Sequence, residues 1–123
     1  SVVLTGKRRN YIINELKKEK INFSYFEMVD ISKLNELYNL LDLYIVSSRV
    51  EGGPQAIVEC GITKTPIIST DVGIADDILA KTSIFNMDNF YDAEPSVEFA
   101  YNKSKELTIP KGFQKFITLF ESI

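Results

Sequence analysis

The chain has 123 residues, of which 45% are hydrophobic and 25% charged, and its net charge is -3 at pH 7. This length suits one domain with a single core, and the acidic balance with scattered basic residues speaks against nucleic-acid binding. Histidine is absent and Cys60 is the one cysteine, which excludes a Ser-His or Cys-His nucleophile pair, an intramolecular disulfide and a well-supplied zinc site within the chain.

Short apolar runs alternate with helical patterns along the sequence. Strands are predicted at 2–4, 21–26, 43–46, 66–69 and 83–85, and the third is expected to be covered on both faces. Helices are predicted at 10–20, 75–79, 96–107 and 113–122, with two more beginning after an N-cap at Ser32 and at Pro54. This alternation predicts an α/β domain spanning 1–123, with a Rossmann-like open parallel sheet and helices on both faces.

The loop at 47–53 and the helix after it are the most informative part of the sequence. Ligands of open α/β sheets bind beyond the carboxyl ends of strands. Gly52 and Gly53 let a ligand approach the backbone there. The N–H groups of Gly53, Gln55 and Ala56 at the helix start favour an anion such as a diphosphate.

Two acidic residues flank this helix start. Glu51 lies in the loop, and Glu59 lies on the helix four residues after Gln55, so Gln55 and Glu59 share a helical face. Carboxylates beside a diphosphate would repel it on contact, and we therefore expect them to accept hydrogen bonds from sugar hydroxyls instead.

These residues carry a resemblance to a known family. The segment 51–54 (EGGP), Glu59 and the segment 66–73 (PIISTDVG) resemble the C-terminal domain of family 4 retaining glycosyltransferases of group 1. The likeness extends over 2–79 and is looser beyond. It implies one half of a two-domain GT-B type enzyme, with the acceptor domain and the basic pair that holds the diphosphate outside this chain. We therefore expect the isolated chain to be inactive in transfer.

The resemblance also implies the reaction and the site. The reaction moves a hexose from a UDP- or GDP-sugar, as co-substrate, to a hydroxyl acceptor such as a glycan or lipid, without a cofactor or a metal ion. Glu51 is implied as the catalytic carboxylate that binds hydroxyls of the transferred sugar, and Glu59 as the ribose ligand. The backbone positions that would contact the sugar and the diphosphate are Gly52, Gly53, Pro54, Gln55 and Ala56.

Four further candidates lie outside this segment. By the resemblance, Gly6 matches the family's glycine after the first strand, and Met28 and Val29 would lie near the base of the nucleotide. Arg49 either helps to neutralise the diphosphate or is an exposed arginine without a ligand.

Two positions depart from the family pattern. Lys64 stands where the family often has a glycine, and a lysine is strained in a left-handed helix cap, so we expect a different turn there. Ile74 stands where a second glycine often follows Gly73. These departures favour an alternative, a degenerate domain that serves as a binding or assembly module. A third reading is another nucleotide-sugar enzyme of this fold, such as an epimerase.

The last predicted helix carries an apolar face. Packing against the missing domain would leave Phe116, Leu119 and Phe120 exposed here, so we expect a homodimer through this helix. The single cysteine and the absence of a long apolar run predict a cytoplasmic protein, peripheral to a membrane in the full-length enzyme.

Overall fold

The computed structural model describes residues 1–122, with Lys115 described by its backbone alone. The predicted strands and helices are confirmed, with ends that shift by one or two residues. The strands are β1 Val2–Thr5, β2 Phe23–Phe26, β3 Tyr44–Val46, β4 Ile67–Thr70 and β5 Ile84–Phe85. The helices are α1 Asn10–Lys18, α2 Ile31–Leu40, α3 Gln55–Thr63, α4 Ala75–Ile78, α5 Val97–Lys105 and α6 Lys111–Glu121.

The chain forms two compact units, Ser1–Glu36 and the part from Leu37 onward, with the boundary inside α2. All the recorded strand pairs are parallel, and a helix lies in the connection between the paired strands. The α/β class with parallel strands is therefore confirmed. A single domain over residues 1–123 stays a prediction.

The first unit is built from β1, α1 and β2. The two strands pair from Val2 with Phe23 to Thr5 with Phe26, and Leu16 of α1 is buried. The N-cap predicted at Ser32 is wrong. The next helix begins at Ile31, so Ser32 lies inside its first turn, which is closed by a hydrogen bond from the Leu34 N–H to the Asp30 carbonyl at 2.8 Å.

The second unit contains a three-stranded sheet in the order β3-β4-β5. Ile67, Ile68 and Ser69 of the central strand are buried. The expectation that β3 is covered on both faces is wrong, because Ile45 is 55% exposed on what is an edge strand of this sheet. The described strands thus form two sheets, which the apolar runs alone did not distinguish.

Helices α3 and α5 pack closely. Ile57 and Cys60 of α3 are fully buried, and so is Ser104 of α5. A Cβ at Gly61 would lie 2.9 Å from the Ser104 Cβ and 3.0 Å from the Ala100 carbonyl oxygen. Only a glycine lets the two helices approach to this distance.

The turn after α3 keeps the left-handed cap despite its lysine. Lys64 has φ 57° and ψ 29°, so the expectation of a different turn is wrong. The Thr65 N–H closes the cap onto the Cys60 carbonyl at 2.9 Å. The Lys64 ammonium lies 2.7 Å from Glu98 and 4.4 Å from the centre of the Tyr101 ring, and the hydrogen bond to Glu98 raises the pKa of Lys64.

Two expectations concern the surface of the second unit. Ile74 is half-buried at the start of α4 and lines a cavity of about 390 Å³ together with Ile78 and Leu107.

Phe116, Leu119 and Phe120 on α6 are exposed as expected, while the homodimer stays a prediction. Within residues 1–122, we find no helix with the length and apolarity that a membrane span requires.

Candidate functional site

The candidate site lies where β3 ends and α3 begins. The loop from Ser47 onward carries the exposed residues Glu51, Gly52 and Gly53. Pro54, with φ -66°, forms the N-cap of the helix. The sequence predicted it as the first residue of the helix, so the helix begins one residue later than expected. The loop therefore sits at the carboxyl end of a parallel strand, the edge at which α/β sheets bind ligands.

The last residue of β4 and the loop after it contact the β3–α3 loop. The Thr70 hydroxyl donates to the Ser48 carbonyl at 2.6 Å. Gly73 has φ +55°, and a Cβ on it would lie 2.9 Å from the nitrogen of Gly53 and 2.9 Å from Cδ of Pro54. The two loops are thus in contact at the same edge of the sheet.

Glu51 is held by a residue of its own loop. The Ser48 hydroxyl donates to Oε1 of Glu51 at 2.7 Å. Glu51 is exposed and Ser48 half-buried, so this bond competes with water. The carboxylate has a preferred position but remains free to turn toward a ligand.

Glu59 is held by a tyrosine from another helix. The Tyr38 hydroxyl donates to Oε2 of Glu59 at 2.7 Å. Tyr38 is only 5% exposed, and burial, followed by the hydrogen bond to Glu59, raises its pKa far above the ordinary tyrosine value. The phenol therefore stays protonated and remains a hydrogen-bond donor at any physiological pH.

The start of α3 offers backbone donors. The Ile57 N–H donates to the Pro54 carbonyl at 3.1 Å, while the N–H groups of Gln55 and Ala56 belong to the first turn, where a helix supplies no acceptor. A Cβ placed on Gly52 or Gly53 would meet no heavy atom within 4 Å. A ligand can therefore reach the backbone of this loop and the helix start.

The remaining candidates are one residue of this loop and three residues of the first unit. Arg49 is exposed in the loop. Gly6, Met28 and Val29 belong to the first unit. Gly6 has φ +87°, and its carbonyl accepts a hydrogen bond from the Tyr25 hydroxyl at 3.1 Å. Met28 is largely exposed and Val29 half-buried.

Sequence reasoning did not predict the supporting role of the residues that hold the two carboxylates and the loop. Ser48 is three residues from Glu51, a spacing at which a loop serine commonly reaches its neighbour. Tyr38 is 21 residues from Glu59, and its place on the apolar stripe of α2 indicates only a core residue. Thr70 acts through its contact with the neighbouring loop, which no local pattern reveals.

Cys60 follows Glu59 but belongs to the core. It is fully buried, and burial, followed by the charge of Glu59, raises the pKa of its thiol to about 12. Such a thiol is a poor nucleophile. Among the described residues, no group of three or more histidine, cysteine or acidic side chains is arranged to hold a metal ion.

Comparison with known proteins gives one family. The family model described as glycosyl transferases group 1 matches residues 1–97, which is most of the chain and includes the whole candidate site. A search of curated proteins gives no match. Membership implies glycosyl transfer in general, with binding of a nucleotide-sugar and an acceptor. With parallel strands joined through helices and this match over most of its length, the chain belongs to the group 1 glycosyltransferases.

Proposed function

We propose that this chain is the donor-binding domain of a retaining glycosyltransferase, of the type found as the C-terminal domain in family 4. The observation that carries the proposal is the geometry of the loop at 47–53 together with α3, which follows it. It combines an exposed glycine pair, a helix start and two carboxylates held by hydroxyl groups. This combination suits a ligand with both a diphosphate and hydroxyl groups.

The diphosphate binds at the start of α3. The N–H groups of Gly53, Gln55 and Ala56 and the positive end of the helix dipole stabilise its charge, including the charge it gains when its bond to the sugar breaks. A divalent metal ion is not required for this role. Arg49, exposed in the same loop, adds a positive charge.

The two carboxylates bind hydroxyl groups on either side of the diphosphate. Direct contact of a carboxylate with the diphosphate would cost about 1 to 4 kcal/mol per charge pair in a hydrated site. Glu51, in the exposed loop beside Gly52 and Gly53, receives hydroxyls of the transferred hexose. Glu59, fixed on α3, receives the ribose of UDP or GDP.

The proposal is tested by calorimetric titration of the chain with UDP, GDP and their sugar conjugates, alongside Glu59→Ala. We expect one nucleotide to bind and its affinity to fall about tenfold or more in the variant, because a hydrogen bond to a charged group is lost. Glu98→Ala, which removes an exposed carboxylate that contacts Lys64, is the matched control and should bind as the wild type does.

Failure of every nucleotide to bind at millimolar concentration would contradict the proposal. It would favour the alternative, a degenerate domain that serves as a binding or assembly module. The left-handed cap at Lys64 weakens that alternative, since the departure from glycine there leaves the turn unchanged.

A further inference from the structure

The contact between Tyr38 and Glu59 joins two helices at the candidate site. Tyr38 lies near the end of α2 and Glu59 in the middle of α3, and the phenol hydroxyl lies 2.7 Å from Oε2. The bond is partly buried. Water therefore competes with it less than with the exposed bond between Ser48 and Glu51.

The tyrosine is itself fixed from both ends. Its backbone carbonyl accepts a hydrogen bond from the buried Thr65 hydroxyl at 2.8 Å. Its ring lies against Tyr44, with 5.7 Å between the ring centres. The Thr63 hydroxyl donates to the backbone carbonyl of Glu59 at 2.9 Å. Donor and acceptor of the Tyr38–Glu59 bond are thus both anchored in the same unit.

A free glutamate side chain explores many rotamers, and ordering it on binding costs free energy. A single donor on Oε2 removes most of that freedom and leaves acceptor capacity on the carboxylate for ligand hydroxyls. A tyrosine suits this task because it adds no charge that would pair with the carboxylate and withdraw it from the ligand.

We propose that Tyr38 is the positioning residue of the ribose site, which fixes Glu59 in the orientation that receives the ribose hydroxyls. This inference rests on the proposed donor-binding function and adds the origin of discrimination between ribose and deoxyribose. Tyr38 does not touch the ligand. It acts through the orientation of Glu59.

The test compares UDP and GDP with their 2′-deoxy and 3′-deoxy forms, titrated into the wild type, Tyr38→Phe, Glu59→Gln and the double variant. The wild type should prefer the ribonucleotide about tenfold or more. Tyr38→Phe should lose most of this preference while its affinity for the deoxynucleotide stays close to the wild-type value. The double variant should show the same preference for the ribonucleotide over the deoxynucleotide as Glu59→Gln alone, because Tyr38 acts only through Glu59.

Tyr101→Phe is the matched control. Tyr101 is a half-buried tyrosine of the same unit whose ring contacts Lys64 and Lys105, and its loss should leave the ratio of affinities unchanged. Melting temperatures of all variants distinguish a general loss of stability from a loss of ribose preference. A general loss of stability would lower the affinity for the ribonucleotide and the deoxynucleotide alike.

The outcomes separate the two claims. If Glu59→Gln loses the ribose preference and Tyr38→Phe keeps it, Tyr38 is not a positioning residue and the donor site stands. If neither variant changes the preference, the ribose role of Glu59 falls and the inference falls with it. Absence of nucleotide binding in the wild type would overturn the proposed function itself.

Discussion

The loop at 47–53 and the helix α3 each carry one acidic residue of the candidate site, and they hold it in different ways. Glu51 is exposed and bonded to Ser48, three residues away, whereas Glu59 is half-buried and bonded to Tyr38, 21 residues away. The first arrangement lets a carboxylate follow its ligand. The second presents a carboxylate in a fixed place.

Glycines in the two regions show the same contrast. A side chain on Gly52 would meet empty space, while one on Gly61 of α3 would collide with α5. One glycine leaves room for a ligand and the other leaves room for a neighbouring helix. We infer that α3, packed against α5, is the rigid part of the site and that the loop is its adaptable part.

Gly61→Ala should have the largest effect, since it opposes the close packing of α3 on α5. We expect the free energy of unfolding to fall by about 2 to 3 kcal/mol, because the added methyl group overpacks a buried contact with the Ala100 backbone. Chemical denaturation followed by circular dichroism measures this change. A variant as stable as the wild type would show that α5 is free to move away and that α3 is not rigid.

Gly73→Ala should have the next largest effect, and it acts where the two loops touch. A left-handed alanine and its contact with Gly53 and Pro54 should together cost about 1 to 2 kcal/mol of stability. The same denaturation measurement applies. Nucleotide affinity should fall as well, because the β3–α3 loop must shift. Unchanged affinity would mean that the contact between the two loops does not matter for nucleotide binding.

The Cys60 thiol makes the stability of the α3 region depend on pH. Burial raises its pKa from 9.0 to about 12. Between these values the unfolded thiol has lost its proton and the folded one has kept it. The free energy of unfolding should therefore fall by up to about 1.4 kcal/mol per pH unit above pH 9.0. Below pH 9.0 the thiol is protonated in both states, so it should not make the stability depend on pH. Denaturation at pH 8 and pH 10 measures the effect.

Cys60→Ala serves as the control for this pH dependence, since it removes the titrating group while lysines and tyrosines titrate as before. The variant should lose less stability than the wild type between pH 8 and pH 10. Equal losses in the two proteins would mean that the thiol ionises as readily in the folded chain as in the unfolded one.

Gly52→Ala should have the smallest effect on stability, within about 0.5 kcal/mol, because its methyl group meets no neighbour. Nucleotide-sugar affinity should nevertheless fall, since the ligand is expected to approach the backbone at this point. Calorimetry and denaturation of the same sample give both values. Unchanged affinity for UDP- and GDP-sugars would place the ligand away from this loop.

The sequence predicted the elements of the fold better than their packing. Apolar runs such as 43–46 and 66–69 located β3 and β4, and the loop between β3 and Pro54 was recognised from its glycines. The exposure of Ile45 was not predictable, because an apolar run does not reveal which strand lies at the edge of a sheet. The left-handed turn at Lys64 was not predictable either, because the conformational preference of lysine disfavours it. The hydrogen bond from the Thr65 N–H to the Cys60 carbonyl closes this turn in the folded chain.

The candidate site divides in the same way. Glu51 and Glu59 could be selected by their spacing around a helix start and by the family resemblance. Their partners differ in how visible they are in sequence, since Ser48 is local and Tyr38 is not. Contacts between distant segments, such as the Thr70 hydroxyl on the Ser48 carbonyl, require the folded chain.

Nuclear magnetic resonance can show, residue by residue, whether this loop and the start of α3 bind a nucleotide-sugar donor. Backbone amide shifts of the labelled chain would be followed during titration with UDP- and GDP-sugars. We predict that the largest shifts occur at the amides of Gly52, Gly53, Gln55, Ala56 and Glu59, with small shifts along α6. Saturable shifts confined to other segments, or no shifts at millimolar ligand, would show that the donor does not bind at this loop.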